Sequence, residues 1–243
     1  MSLFEAALRG VLLRGRTAAF ALLPLAVAAV VLAVVFLTSV PGRYGAVGTV
    51  TAQLLVGLVV PVVALVLGTG AFGDERDGGT LPLLRGVARP RWHLVAAKLF
   101  AAWLSTWLVC LPASVACIVF AASVNQPLVP VVGGVLLATA LAAGAYCGLF
   151  VLLSLLTRRA LLAGLAYVVL WEGFLAGLSP GLRGLSVGSY ARRVAELALP
   201  DDVQTGVVST LSAPWAVVVL LAVVAGTWAL SGVRLHRMDV TTG

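Results

Sequence analysis

Chemistry needs titratable or nucleophilic side chains held close together, and this sequence offers few. It has two histidines (His93 and His236), three cysteines (Cys110, Cys117 and Cys147), nine carboxylates and one lysine, Lys98. There is no His-Glu-x-x-His for a zincin-type metal site and no Gly-x-Ser-x-Gly nucleophile elbow. A Walker A loop needs Gly-Lys-Ser/Thr, whereas Lys98 stands between Ala97 and Leu99, so this chain has no P-loop of its own. The cysteines sit inside apolar runs without a Cys-x-x-Cys and read as small apolar side chains of buried helices. Cys110 and Cys117 share a helical face, but seven residues is too long a step for a bridge within one helix. That leaves Glu172, in Leu170-Trp171-Glu172-Gly173, as the one acid inside an apolar run. A carboxylate in lipid is costly and should face the bundle interior or water. Two readings stay open for it: a proton or substrate-cation site, or a partly protonated carboxyl group that pairs with a neighbour or sits just below the outer surface.

A second stretch carries a denser pattern. From Gly73 to Leu94 the chain reads Gly-Asp-Glu-Arg-Asp-Gly-Gly-Thr-Leu-Pro-Leu-Leu-Arg-Gly-Val-Ala-Arg-Pro-Arg-Trp-His-Leu. Thr80 suits an N-cap, and Pro82 is tolerated in a first turn. Leu81 and Leu84 lie three apart on one face, and Gly86 suits a stop. The spacing predicts a helix of one or two turns across the end of a bundle. Its leucines would either dip into the membrane interface or form an apolar knob for a cytoplasmic partner.

The elements that position these residues follow from composition. Of 243 residues, 61% are hydrophobic and only 10% charged, with a mean hydropathy of +1.11. An ordinary soluble domain carries about a quarter charged residues, and disordered chains carry more, so both classes are excluded. Charges instead punctuate long apolar runs. A helix needs about 20 apolar residues to cross the hydrocarbon core. The runs predict six transmembrane helices, roughly 18–40, 50–72, 94–121, 131–157, 160–178 and 213–233. Runs of this length exclude barrel strands, and the first is too long for a cleavable signal peptide. The expected fold is an all-α polytopic membrane protein, with 1–243 as a single transmembrane domain. A cytoplasmic loop at 73–93 and an external loop at 179–212 are the large connections.

The net charge of +7 would point to nucleic acid in a soluble protein, but here the cations lie in short loops, where they set orientation. Twelve fall on one side: Arg9, Arg14, Arg16, Arg76, Arg85, Arg89, Arg91, Lys98, Arg158, Arg159, Arg234 and Arg237. Four fall on the other: Arg43, Arg183, Arg192 and Arg193. The positive-inside rule then places both termini in the cytoplasm. Leu3–Arg16 reads as an interfacial amphipathic helix. Ser189–Leu199 reads as another, lying on the outer bilayer surface, with Arg192 and Glu196 paired at i,i+4. A lid over an exit path is the alternative for that segment. Gly144-x-x-x-Gly148 and Gly173-x-x-x-Gly177 offer close helix packing, and Pro24, Pro61 and Pro112 fall inside spans. No internal repeat is visible, which weakens an inverted-repeat transporter.

The loop resembles the type-2 ABC-transporter permease family. Those permeases carry, between spans two and three, an acidic-basic run, Gly-Thr-Leu, an acid, Leu-Leu and a downstream Arg and Lys. The matching residues here are Glu75, Arg76, Asp77, Gly79, Thr80, Leu81, Leu83, Leu84, Arg91 and Lys98. Pro82 stands where an acid is common, Ala97 where Gly is common, and Gly86–Arg89 lacks the usual polar turn. The run Leu170–Gly173, continuing to Pro180-Gly181-Leu182-Arg183, is similar to bacterial members.

The resemblance implies a six-span bundle that is the membrane half of an ABC exporter in a bacterial cytoplasmic membrane, without catalytic activity of its own. It implies a second permease chain, two copies of a separately encoded ATPase that supplies ATP and Mg, and an ATPase-coupling surface at Glu75, Arg76, Thr80, Leu81, Leu83, Leu84 and Arg91. No cofactor or metal is expected in this chain. The apolar spans favour an amphiphilic or hydrophobic substrate. An ATP-independent secondary transporter or channel is the competing reading, and would call for more polar groups in the spans than Glu172, Gln53 and a few Ser and Thr. A membrane-embedded enzyme and a passive anchor are weaker alternatives.

Overall fold

The computed structural model describes the backbone of residues 22, 24–26, 28, 29, 50–77, 91–123, 125, 127–175, 184–196 and 212–237. All regular structure among them is helical. A π-helical segment, Val50–Val59, runs directly into α1 (Val60–Asp77). Then come α2 (Arg91–Ser123), α3 (Leu128–Leu156), α4 (Ala160–Ala166) with a π-helical continuation Tyr167–Leu175, α5 (Val187–Glu196) and α6 (Ala213–Arg237).

Four of these helices are long and apolar enough to cross a membrane: Val50–Gly73, Trp92–Ser123, Leu128–Leu156 and Ala213–Leu235. They correspond to the predicted second, third, fourth and sixth spans. Ala160–Phe174, within the fifth predicted span, is apolar but shorter. The described residues of the first, 22, 24–26, 28 and 29, are helical, and the rest of that span lies outside the described residues. The predicted Leu3–Arg16 helix and the short helix after Thr80 lie outside them too. Asn125, at φ 56°, turns the chain between α2 and α3. Asn is among the few residues that tolerate this left-handed region.

The centre of the bundle is α3, which touches α1, α2, α4, α5 and α6. It has no charged residue and is apolar all round, as a helix enclosed by others should be. Without a hydrophobic drive between helices in lipid, association rests on close packing, and glycines supply it. A Cβ at Gly148 would strike Thr227 of α6, and one at Gly144 would sit 3.4 Å from Val224 and 3.5 Å from Trp103. The Gly144/Gly148 face therefore seats α6, as its spacing predicts. A Cβ at Gly68 would sit 2.9 Å from Phe150 Cβ, and one at Gly164 would strike Leu65. Among the described residues, a Cβ at Gly173 would meet only the Val168 carbonyl, at 3.6 Å, and Gly177 lies outside them.

Several hydroxyls in the bundle bond back to their own helices. Thr69 donates to Leu65 O at 2.6 Å, Thr139 to Val135 O at 2.7 Å and Thr227 to Val223 O at 2.7 Å. This hides polar hydrogens that lipid cannot satisfy. Cys110, Cys117 and Cys147 are free and buried, with Cys147 Sγ 3.2 Å from Thr106 Oγ1.

The segment predicted as a surface helix is the main departure. It forms α5, but Ala191 and Val194 are fully buried, Ser189 is 2% exposed, and the helix packs on α3, α6 and the Val50–Val59 segment. It does not lie on the bilayer surface. The predicted Arg192–Glu196 pair is also replaced: Glu196 pairs with Arg193 at 2.8 Å, and Arg192 turns to Gln53. The physical reason is that both arginines find acceptors inside the bundle, so the polar face of α5 can be buried as well as the apolar one.

Candidate functional site

Glu172 sits in the π-helical segment Tyr167–Leu175 that continues α4. Its carboxylate is saturated by donors. Tyr167 Oη donates to Oε1 at 2.9 Å, and Ser186 Oγ to Oε2 at 2.5 Å. The Gly188 N–H reaches both oxygens at 3.2 Å. Ser186 Oγ in turn accepts from the Ser189 N–H at 3.1 Å, as an N-cap does three residues ahead. Glu172 thus completes the cap of α5 from another helix. A negative group at a helix N-terminus meets unpaired N–H groups and the positive end of the helix dipole. Gly188 is required there: a Cβ would lie 2.6 Å from Glu172 Oε2 and 2.9 Å from Tyr146 Oη.

From this anchor α5 runs to the end of the bundle that carries Gln53. Arg192 Nη1 donates to Gln53 Oε1 at 3.2 Å, and Nε to Gly188 O at 3.1 Å. Tyr190 Oη donates to Gly184 O at 2.8 Å, closing the approach to the helix. The Glu172 oxygens face hydroxyl and amide hydrogens, and those contacts position a helix. Ser186, Gly188, Tyr167 and the Gln53–Arg192 contact are the partners that sequence reasoning did not name. The available signal was Ser186 followed by Val187-Gly188, an N-cap pattern three residues before the expected helix start.

The opposite end holds the predicted coupling residues. α1 continues to Asp77, so the backbones of Glu75 and Arg76 lie in its last turn, and Arg91 opens α2. Thr80, Leu81, Leu83 and Leu84 lie outside the described residues. What the structure adds is Lys98. Its ammonium donates to Ala71 O at 2.5 Å and stands 4.5 Å over the Phe72 ring. One turn before Glu75, then, α1 is tied to α2 by a cation on a carbonyl and an aromatic face. Trp92, also near the start of α2, meets Trp228 edge-on at 5.8 Å and covers Gly232 of α6. Among the described residues no cluster of His, Cys, Asp or Glu is suited to a metal ion.

Apolar helices of membrane-crossing length, packed through glycine faces, define a multi-pass membrane protein. A family model described as ABC-2 family transporter protein matches residues 43–240. The chain belongs to that family, whose members are membrane subunits of ABC transporters that pair with an ATPase subunit. Among curated proteins, no match to this chain is found.

Proposed function

We propose that this chain is the permease of an ATP-driven exporter in a bacterial cytoplasmic membrane. Six spans with both termini inside would be completed by the first span and the short fifth helix. Two copies would enclose the path for an amphiphilic or hydrophobic substrate, and an ATPase dimer would dock around Glu75–Leu84 and Arg91. The observation that carries the reading is the family match over 43–240, joined to the loop pattern from Glu75 to Lys98. The 12-to-4 division of basic residues supports the orientation, which puts the Lys98 end inside and the Gln53 end outside. Nothing in the chain binds nucleotide by a P-loop, in keeping with hydrolysis in a partner.

The test is purification of the full-length protein from native membranes, with mass spectrometry of what accompanies it. A polypeptide with Walker A and Walker B motifs is expected, together with bound lipid or amphiphile. A chain that purifies repeatedly without any such ATPase contradicts the proposal and favours an ATP-independent transporter.

A further inference from the structure

π-Helices are rare and usually last a single turn. The described residues include two long ones, Val50–Val59 and Tyr167–Leu175. Each carries the polar side chain that grips α5: Gln53 from the first and Glu172 from the second. Each also contains a glycine aimed at the carbonyl five residues back. A Cβ at Gly57 would sit 3.2 Å from Ala52 O, tighter than an ordinary contact, and one at Gly173 would sit 3.6 Å from Val168 O.

We propose that α5 and the two π-helical segments form one two-state element. α5 is seated while both segments keep π winding, and rewinding either into α-helix releases α5 from the bundle. The geometry of winding makes the link. Changing the register by one residue turns the side chains beyond it by roughly 100° about the axis. Such a turn takes Glu172 off the Ser186 hydroxyl and the Gly188 N–H, or Gln53 off Arg192. Conversely, those contacts are what hold each segment in its less common winding. By linkage the dependence is mutual: what unseats α5 favours rewinding, and what favours rewinding unseats α5. Seated, α5 fills the space among the Val50–Val59 segment, α3 and α6; released, it opens that space. The inference goes beyond the exporter reading and does not depend on an ATPase.

The test uses the full-length chain in membrane vesicles, with Cys110, Cys117 and Cys147 replaced by alanine and a single cysteine at Ser189→Cys. Ser189 is 2% exposed in α5, and Ser212→Cys, at an exposed position just before α6, serves as reference. The probe is N-ethylmaleimide. With no further change, the cysteine at 189 should react at least tenfold more slowly than the one at 212. Gly57→Ala removes no polar contact: its Cβ crowds the π turn at Ala52 O and otherwise makes only ordinary van der Waals contacts, at 3.9 Å, with Arg192 Nη1 and Gln53 Oε1. It should speed reaction at 189 about fivefold and leave 212 unchanged. Glu172→Gln, which turns an amide N–H₂ toward donors, should speed it tenfold or more. Equal reactivity at 189 and 212 at the outset overturns the proposal, as does continued protection in both variants. Release by Glu172→Gln without release by Gly57→Ala also overturns it, because the carboxylate would then hold α5 without any link to winding. If Glu172→Gln does not accumulate in membranes, Gly57→Ala decides alone.

Discussion

At the Gln53 end of the bundle, a short helix is held by a saturated carboxylate and one arginine–amide contact. At the Lys98 end, three long helices meet through a lysine on a carbonyl, a cation over an aromatic ring, and a tryptophan lying on a glycine. The first arrangement is specific and directional. It works because the donors are buried, where an unmet hydrogen bond is expensive. The second is less directional: the Lys98 ammonium meets a carbonyl and the face of an aromatic ring, and a cation over a ring keeps part of its attraction when exposed. The polar clamp therefore gives a helix two distinct states, seated or not, while the aromatic tie holds α1, α2 and α6 together through small movements.

The comparison can be broken first at Glu172. Glu172→Ala leaves the Ser186 and Tyr167 hydroxyls and the Gly188 N–H without their acceptor, and should cost about 3 kcal/mol. Thermal unfolding in detergent should fall by several degrees, with the earliest loss of hydrogen-exchange protection in 187–196. Uniform loss of protection across α1, α2 and α6 would mean that the clamp is not local. At the other end, Lys98→Met keeps an apolar stem and removes the ammonium. A loss of about 1 to 2 kcal/mol is expected from the charged hydrogen bond and the ring contact, with α5 protection unchanged. If Lys98→Met exposes α5 as much as Glu172→Ala does, the two ends are not separate devices. The smallest effect should come from Gln53→Leu. It removes one 3.2 Å contact while Arg192 keeps its bond to Gly188 O, so about 1 kcal/mol or less is expected. A larger loss in the same exchange measurement would shift the seat of α5 from Glu172 to Gln53.

Four of the six predicted spans, the second, third, fourth and sixth, were legible because lipid forces charge to the ends of apolar runs. Gly144 and Gly148 were legible as a packing face for the same reason: in lipid, close approach is the main attraction. The seating of α5 was not. Arg192, Arg193 and Glu196 on ten residues read as a surface helix, and only the three-dimensional pairing of Arg192 with Gln53 and Arg193 with Glu196 lets that face be buried. Glu172 was recognised as purposeful, but its partners come from residues 14 and 16 positions later, across segment 176–183, where periodicity carries no information. π-Winding has no pattern in hydropathy, since Gly57 and Gly173 look like any glycine in a span.

The most direct measurement of the central claim, that this chain transmits the work of an ATPase through the segment after α1, is made on Leu84. In the exporter reading Leu81 and Leu84 fill an apolar pocket of the ATPase, with Glu75 and Arg76 as rim charges. Buried contacts at an interface core are worth about 2 kcal/mol or more, and rim charges less. Leu84→Asp and Glu75→Ala are compared with wild type by capture of the ATPase and by its hydrolysis rate in the complex, at equal membrane levels. The account predicts at least a thirtyfold loss of capture for Leu84→Asp, about 2 kcal/mol, and a much smaller loss for Glu75→Ala. Unchanged capture and hydrolysis in both variants would contradict it, and would leave the segment between α1 and α2 as a plain connector.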